Sequence, residues 1–273
     1  MAITVDDLPW IGAVRPGETQ GDALQRLIDA LVARNAPAMA FPNCARLGAG
    51  APSVHRWVAA GLDVGNHSAG HLDLNSAPLA QWLADVRSCH DVVKSLTGAN
   101  TVWFRFPFLH QGPTAERQDA ALALLRELGS PIAHVSIDTS DWILAVAYGE
   151  AVRAGNATRA DSIGAAFVQH VLRAAEHYQE VARRKVGNDV AHVLLLHANL
   201  LVSDYIGPLL DELAGRGFQF VSVAAAHQDP VYRRRDEYTG ADGLSWLYRM
   251  APATPEEKAW DDAEAAQLRA QWR

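Results

Sequence analysis

The chain of 273 residues carries 24 Lys and Arg against 31 Asp and Glu, a formal net charge of -7, and is 49% hydrophobic. That length and apolar fraction support a large core, in one α/β domain or two small ones, and exclude a small stapled scaffold. The acidic balance argues against nucleic acid and anionic membrane as partners, and no apolar run reaches the roughly 18 residues of a membrane span.

The first predicted element is a strand at "AITV", followed at once by Asp6, Asp7, Leu8 and Pro9. Neighbouring side chains on a strand point to opposite faces, so an extended Asp pair would bury one acid. Two readings stay open: a turn ahead of Pro9, or a pocket in which a cation or shared proton compensates two like charges. A helix follows at "GDALQRLIDALVARN", with Leu24, Leu27, Ile28, Leu31 and Val32 on one stripe. The second strand is "AMAF" and the third "LDVGN", which runs into "GNHSAGH" with His67 and His71. The helix "PLAQWLADVRSCHDVVKSL" places Leu79, Trp82, Leu83, Val86, Val93 and Leu96 inward.

The fourth strand, "TVWFRF", ends at Arg105 and Pro107, and a helix over "TAERQDAALALLRELG" stops at Gly129. The fifth, "AHVSID", leads to Asp138, Asp141 and Trp142; a long helix then runs from about Asp161 to Lys185. The sixth, "HVLLLHA", carries His197, a helix ends at Gly217, and "FQFVSV" is the seventh strand. Alternation of strand-length and helix-period segments is the mark of β/α units.

After Val223 an irregular tail follows, and Tyr232, Tyr238, Trp246, Leu247 and Tyr248 are expected to pack it over the body. A short helix is expected next, with Thr254 as N-cap, Pro255 first and Glu257 completing a capping box. The run Arg233 to Arg235 reads as solvated. Nothing resembling a linker or repeat divides the chain, so one domain is expected over 1–273, with a barrel to about 225 and an extension over 226–273. Cys44 and Cys89 have neither metal-ligand spacing nor a disulfide framework, and each reads as a buried small residue. A first strand beginning at residue 2 or 3 is what N-terminal trimming leaves, so the compartment stays open: periplasmic or secreted if a signal was removed, cytoplasmic otherwise.

In a barrel of parallel strands the loops at the C-terminal strand ends share one face, and catalytic groups gather there. Five of the seven predicted strands end in chemistry-bearing residues: Asp6 and Asp7; His67 and His71; Arg105; Asp138, Asp141 and Trp142; His197. Two imidazoles and a carboxylate, Asp7, suit a borderline divalent ion such as zinc. The neighbouring Asp then serves as general base, with Arg105 as the countercharge that keeps it ionised.

At these residues the chain resembles the polysaccharide deacetylases, the NodB-homology or family 4 carbohydrate esterases. The resemblance rests on "TVDDLP", "HSAGH", "RFPF", "DTSDW" and "LLH", from Thr4 to His197. It implies a deformed (β/α)7 barrel and hydrolysis of acetyl groups, N-acetyl groups of amino sugars in a glycan or oligosaccharide first. An O-acetyl ester or a small amide or imide is the alternative substrate, and a catalytically dead carbohydrate-binding protein the rival from another class. It implies Asp6 as base, Asp7, His67 and His71 as ligands of one divalent ion (zinc, with cobalt, manganese or nickel as alternatives), and His197 as acid tuned by Asp141. Trp142 and Leu195 would line the acetyl pocket, and the Phe108 backbone N–H would hold the oxyanion although Phe replaces the family's Tyr. Leu8 replaces a Gly and Val5 a Phe in the first motif.

Overall fold

The structure is a computed structural model and describes residues 1–272. The strands are β1 (Ala2–Leu8), β2 (Ala38–Pro42), β3 (Asp63–Val64) and β4 (Val193–His197). The helices are α1 (Gln20–Ala33), α2 (Pro52–Ala59), α3 (Leu79–Thr97), α4 (Ala115–Leu128), α5 (Asp141–Arg153), α6 (Ala157–Val186), α7 (Leu200–Gly215), α8 (Val223–Ala226), α9 (Trp246–Arg249) and α10 (Pro255–Trp272).

All ladders are parallel and the sheet order is β3-β2-β1-β4. Single bridges continue the pairing from Asn66 to Phe104, from Phe104 to Ile132, and from Ile137 to Leu194 on β4. The segment 132–137 therefore meets Phe104 on one side and β4 on the other, and the sheet curls into a deformed β/α barrel. Ile3, Val5, Leu194 and Leu196 are fully buried within it, and α1, α6 and α7 cover it with their apolar stripes. Phe104 and Phe106 point the other way, into a second cluster with Trp82, Val86 and Leu125.

Four of the seven expected strands form ladders among the described residues. "TVWFRF" and "AHVSID" are reduced to the single bridges. Pro107 and Pro131 lack the N–H that a ladder needs, and the neighbouring chain turns away at Ser68, φ 62. "FQFVSV" forms no strand; it is tied on where the Val221 N–H donates to the Met1 carbonyl at 3.0 Å and the Met1 amino group to the Gln219 carbonyl at 2.6 Å. Several helices also depart from expectation. α5 begins directly at Asp141, over a stretch for which no helix was predicted, α6 starts earlier, at Ala157, and Val32 at the end of α1 is 48% exposed. The Thr254–Glu257 capping box forms as expected, but α10 runs for 18 residues instead of forming a short helix. Its Ala-rich sequence has nothing to stop it, and Leu268 is buried in the main core.

The tail lies beside the 132–137 segment. Trp246 N–H donates to the Val135 carbonyl at 2.6 Å, Ser245 Oγ to the Ser136 carbonyl at 2.9 Å, and Trp246 Nε1 to the Val231 carbonyl at 2.8 Å.

Cys44 and Cys89, read from sequence as isolated buried residues, are joined in a disulfide between the turn after β2 and α3. Only folding brings them together, with Cα atoms 5.4 Å apart across 45 residues of sequence. Cross-links that close loops of this size stabilise by about 2–4 kcal/mol. Replacing both cysteines by Ala should lower the unfolding free energy in denaturant titration by that amount. An unchanged midpoint would mean that the pair is not bonded in solution.

Candidate functional site

The site begins with an irregularity in β1. Asp6 lies opposite Phe41 on β2, the ladder resumes with Leu8 opposite Pro42, and Asp7 is the extra residue, in left-handed backbone at φ 69. A bulge breaks the strict alternation of a strand, which is how two successive carboxylates come to serve one pocket. Asp tolerates that backbone better than most residues. His67 Nε2 lies 3.6 Å from Asp6 Oδ2 and 3.9 Å from Asp7 Oδ1.

The imidazoles come from the loop after β3, where Ser68 and His71 also take positive φ. His67 Nδ1 is 2.9 Å from the Arg105 carbonyl. A carbonyl only accepts, so Nδ1 carries the proton, and in the neutral ring Nε2 is the lone-pair nitrogen. His71 Nε2 lies 3.6 Å from Asp7 Oδ1. Burial and the neighbouring His67 push the His71 imidazole down to about 4, so it is neutral near pH 7. Burial works against the Asp7 carboxylate, yet His67, His197, His71 and Asn43 together hold it below its ordinary value. The donor atoms of Asp7, His67 and His71 lie within 4.8 Å of one another. One carboxylate and two imidazoles fit a divalent ion of borderline character.

Asp6, 2% exposed, faces Arg105 Nη1 at 3.3 Å. The guanidinium is itself fixed by the Ala133 carbonyl at 2.8 Å and the Thr4 hydroxyl at 3.1 Å, and it lies 4.7 Å over the Phe41 ring. On the other side, His197 Nδ1 is 2.7 Å from Asp141 Oδ1, and Asp141 Oδ2 accepts from the His197 backbone N–H and the Asn199 side chain, each at 3.2 Å. Burial alone would lower the His197 pKa, but the Asp141 carboxylate, helped by Asp6 and Asp7, raises it to about 10.

The remaining sequence-derived residues are more dispersed. Phe108, at φ 58 and 53% exposed, sets its ring edge-on to His71 at 4.5 Å. Leu195 is buried with Leu109 and Val135, whereas Trp142 is 45% exposed beneath the Arg269 guanidinium and lines two surface grooves. A cavity of about 350 Å³ opens beside His110 and Asp138 and is walled by Tyr248, Trp260 and Asp261 from the C-terminal segment. Sequence reasoning overlooked Asn43, which donates to Asp7 Oδ1 at 2.7 Å, and Asn66, which holds the Ser68 N–H at 2.8 Å. Asn43 was findable, because it stands at the end of β2, on the same edge that nominated the other residues.

A deformed parallel barrel thus carries an Asp-His-His set and a second acid at its strand ends. The polysaccharide deacetylase family model matches residues 1–131, a span that contains the first three motifs. Over residues 1–131 the chain is thus similar to a polysaccharide deacetylase domain, and its fold is that of family 4 deacetylase structures. No curated protein matches its sequence. Among solved structures, a peptidoglycan deacetylase from Bacillus subtilis aligns over 100% of this chain and 96% of its own, with 19% identity and a TM-score of 0.55. A family 4 carbohydrate esterase from Streptomyces lividans aligns over 82% of this chain and 94% of its own, with 21% identity and a TM-score of 0.54. A family 4 pseudoenzyme from Bacillus anthracis aligns over 82% of this chain with 14% identity and a TM-score of 0.56. This chain spans 64% of that pseudoenzyme and 66% of a mutant with restored activity.

The His197–Asp141 pair gives a pH-dependent expectation. The folded value of about 10 lies above the ordinary 6.5, so stability from the pair is complete below about pH 6.5 and is lost as pH rises toward 10. Asp141→Asn should lower the His197 titration of the metal-free protein markedly, because burial is then opposed only by the weaker pull of Asp6 and Asp7. Titration followed by NMR of the imidazole nitrogens checks this. An unchanged curve would show that Asp141 does not govern His197.

Proposed function

We propose that this protein is a metal-dependent deacetylase that hydrolyses N-acetyl groups of amino sugars in a glycan or oligosaccharide, releasing acetate. In this reading Asp7, His67 and His71 hold one divalent ion, zinc before cobalt, manganese or nickel, and residues 1–273 act as one domain. The observation that carries it is convergence: two carboxylates, two imidazoles and the Asp141–His197 pair, distant in sequence, meet at one strand-end pocket. The ion would polarise the acetyl carbonyl and lower the pKa of water.

The chain's own residues supply the rest. Asp6 accepts the proton of the attacking water, with Arg105 as fixed countercharge. The Phe108 backbone N–H would hold the developing oxyanion. His197, held by Asp141, protonates the departing nitrogen. Leu195 with Leu109 gives an apolar wall for the methyl group. The aromatic and carboxylate groups of the neighbouring cavity suit a hydroxyl-rich sugar. The Cys44–Cys89 disulfide supports placing this chemistry in an oxidising compartment.

A panel of acetylated glycans and esters assayed for released acetate tests the reading. Chelation should remove activity, and zinc, cobalt or manganese should restore it; activity in demonstrably metal-free protein would sink the mechanism. Asp6→Asn should retain the ion and lose nearly all turnover, whereas His71→Ala should lose affinity for the ion. If Asp6→Asn is the variant that comes out empty, the two acids have been assigned the wrong way round. His197→Ala should depress hydrolysis of an acetamido sugar by roughly two to four orders of magnitude, the range for general acid catalysis. The loss on an activated aryl acetate should be clearly smaller, because that leaving group needs no proton. Equal losses would withdraw the acid role, and equilibrium binding without acetate release from any substrate would favour a silent carbohydrate-binding site.

A further inference from the structure

We infer that Asn43 is a positioning residue for the ion site, its side-chain amide fixing the Asp7 carboxylate in the orientation that faces both imidazoles. The inference rests on the proposed role of Asp7, His67 and His71 as ligands.

Asn43 follows β2 directly and is 1% exposed. It grips the bulge twice: its backbone N–H donates to the Leu8 carbonyl at 2.9 Å and its Nδ2 to Asp7 Oδ1 at 2.7 Å. The oxygen it holds is the one 3.6 Å from His71 Nε2 and 3.9 Å from His67 Nε2. An ionised carboxylate only accepts hydrogen bonds, so the amide orientation is dictated: nitrogen toward Asp7, oxygen away. That oxygen, Asn43 Oδ1, is buried with no hydrogen-bond partner among the described residues.

An amide is a poor choice for mere filling at this position. A buried acceptor left unpartnered is destabilising, and an apolar side chain of the same shape would avoid the penalty. What the amide provides, and an apolar group cannot, is a charge-assisted bond to a carboxylate whose own backbone sits at φ 69. A hydrogen bond of this kind turns the remaining lone pairs of a ligating carboxylate toward the ion.

The next two residues extend the hold to the other ligands. Cys44 N–H donates to the Ser68 carbonyl at 3.3 Å and Ala45 N–H to the Ala69 carbonyl at 3.0 Å, within the loop between His67 and His71. From the opposite side, Asp85 on α3 accepts from the Gly70 N–H at 2.9 Å, and the Cys44–Cys89 disulfide ties the two sides together. The segment 43–45 thus sets the spacing between the carboxylate from β1 and the imidazoles that follow β3.

The test compares Asn43→Ala with Asn43→Leu, the second matching Asn in shape while lacking the donor. Zn²⁺ affinity of the metal-free protein is measured by competition with a chromophoric chelator, the visible spectrum of the Co²⁺-loaded protein is recorded, and the metal-free melting curve reports the fold. Both variants should lose affinity by about 10- to 100-fold, the usual effect of removing a partner of a ligand, with an altered Co²⁺ spectrum and a wild-type-like melting curve for Asn43→Leu. Binding by Asn43→Leu as tight as wild type would overturn the inference and leave the ligand set standing. Failure of both variants to fold would overturn it too, since Asn43 would then serve the fold. Wild-type protein that binds no Zn²⁺ would overturn the ligand set and the inference together.

Discussion

Two carboxylates one residue apart share a pocket with little access to water, and the architecture around them follows from the need to compensate their charge. An unpaired charge buried in a folded protein costs several kcal/mol, and two like charges in contact cost more. Asp6 has Arg105, whose guanidinium is 1% exposed. Asp7 has two imidazoles and the Asn43 amide. Arg105 in turn needs acceptors for its other N–H groups, and it takes them from the Ala133 carbonyl and the Thr4 hydroxyl. One compensating charge therefore links the segment after α4 to β1, across the part of the barrel where pairing is thinnest.

That thinness has a purpose in the layout. The continuous ladders β2, β1 and β4 carry the main core, where Ile3, Val5, Leu194 and Leu196 are shielded from water. The opposite wall, at Phe104, Ile132 and Ile137, is held by single bridges and by side-chain packing around Trp82. A wall with few ladder bonds leaves backbone carbonyls free for other partners. His67 Nδ1 uses the Arg105 carbonyl, Arg105 uses that of Ala133, and the tail docks on those of Val135 and Ser136. Rigidity comes from one side of the barrel, and polar anchoring from the other.

The residues that sequence reasoning reached share a feature: each is a polar side chain directly after an apolar run, and in a parallel barrel that position alone assigns a common face. Asp7, His67 and His71 came together for that reason. Asp141 and His197 did too, although Asp141 opens α5 instead of closing a strand. What escaped depended on contacts that no local pattern encodes. The disulfide joins residues 45 positions apart, and Trp142, in the first turn of α5, turns to the surface beneath Arg269. The strand count failed where prolines and left-handed residues cut ladders short in segments apolar enough to be strands.

The partners of the two outer carboxylates differ in a way that bears on the chemistry proposed. Asp6 faces a guanidinium, which does not give up its proton in a folded protein, so Asp6 has a permanent countercharge and remains free to gain a proton from elsewhere. Asp141 faces an imidazole, which does titrate, and the pair raises that imidazole to about 10. Such a value keeps the ring charged but makes it a reluctant donor, and part of it comes from the negative charges of Asp6 and Asp7. A cation beside Asp7 would offset part of that negative field and would shift the imidazole downward, toward the range in which proton donation near neutral pH is efficient. The same ion that would polarise an acetyl carbonyl would in this way ready the acid on the far side of it. Arg105 cannot substitute, because its charge is already committed to Asp6 in the metal-free fold.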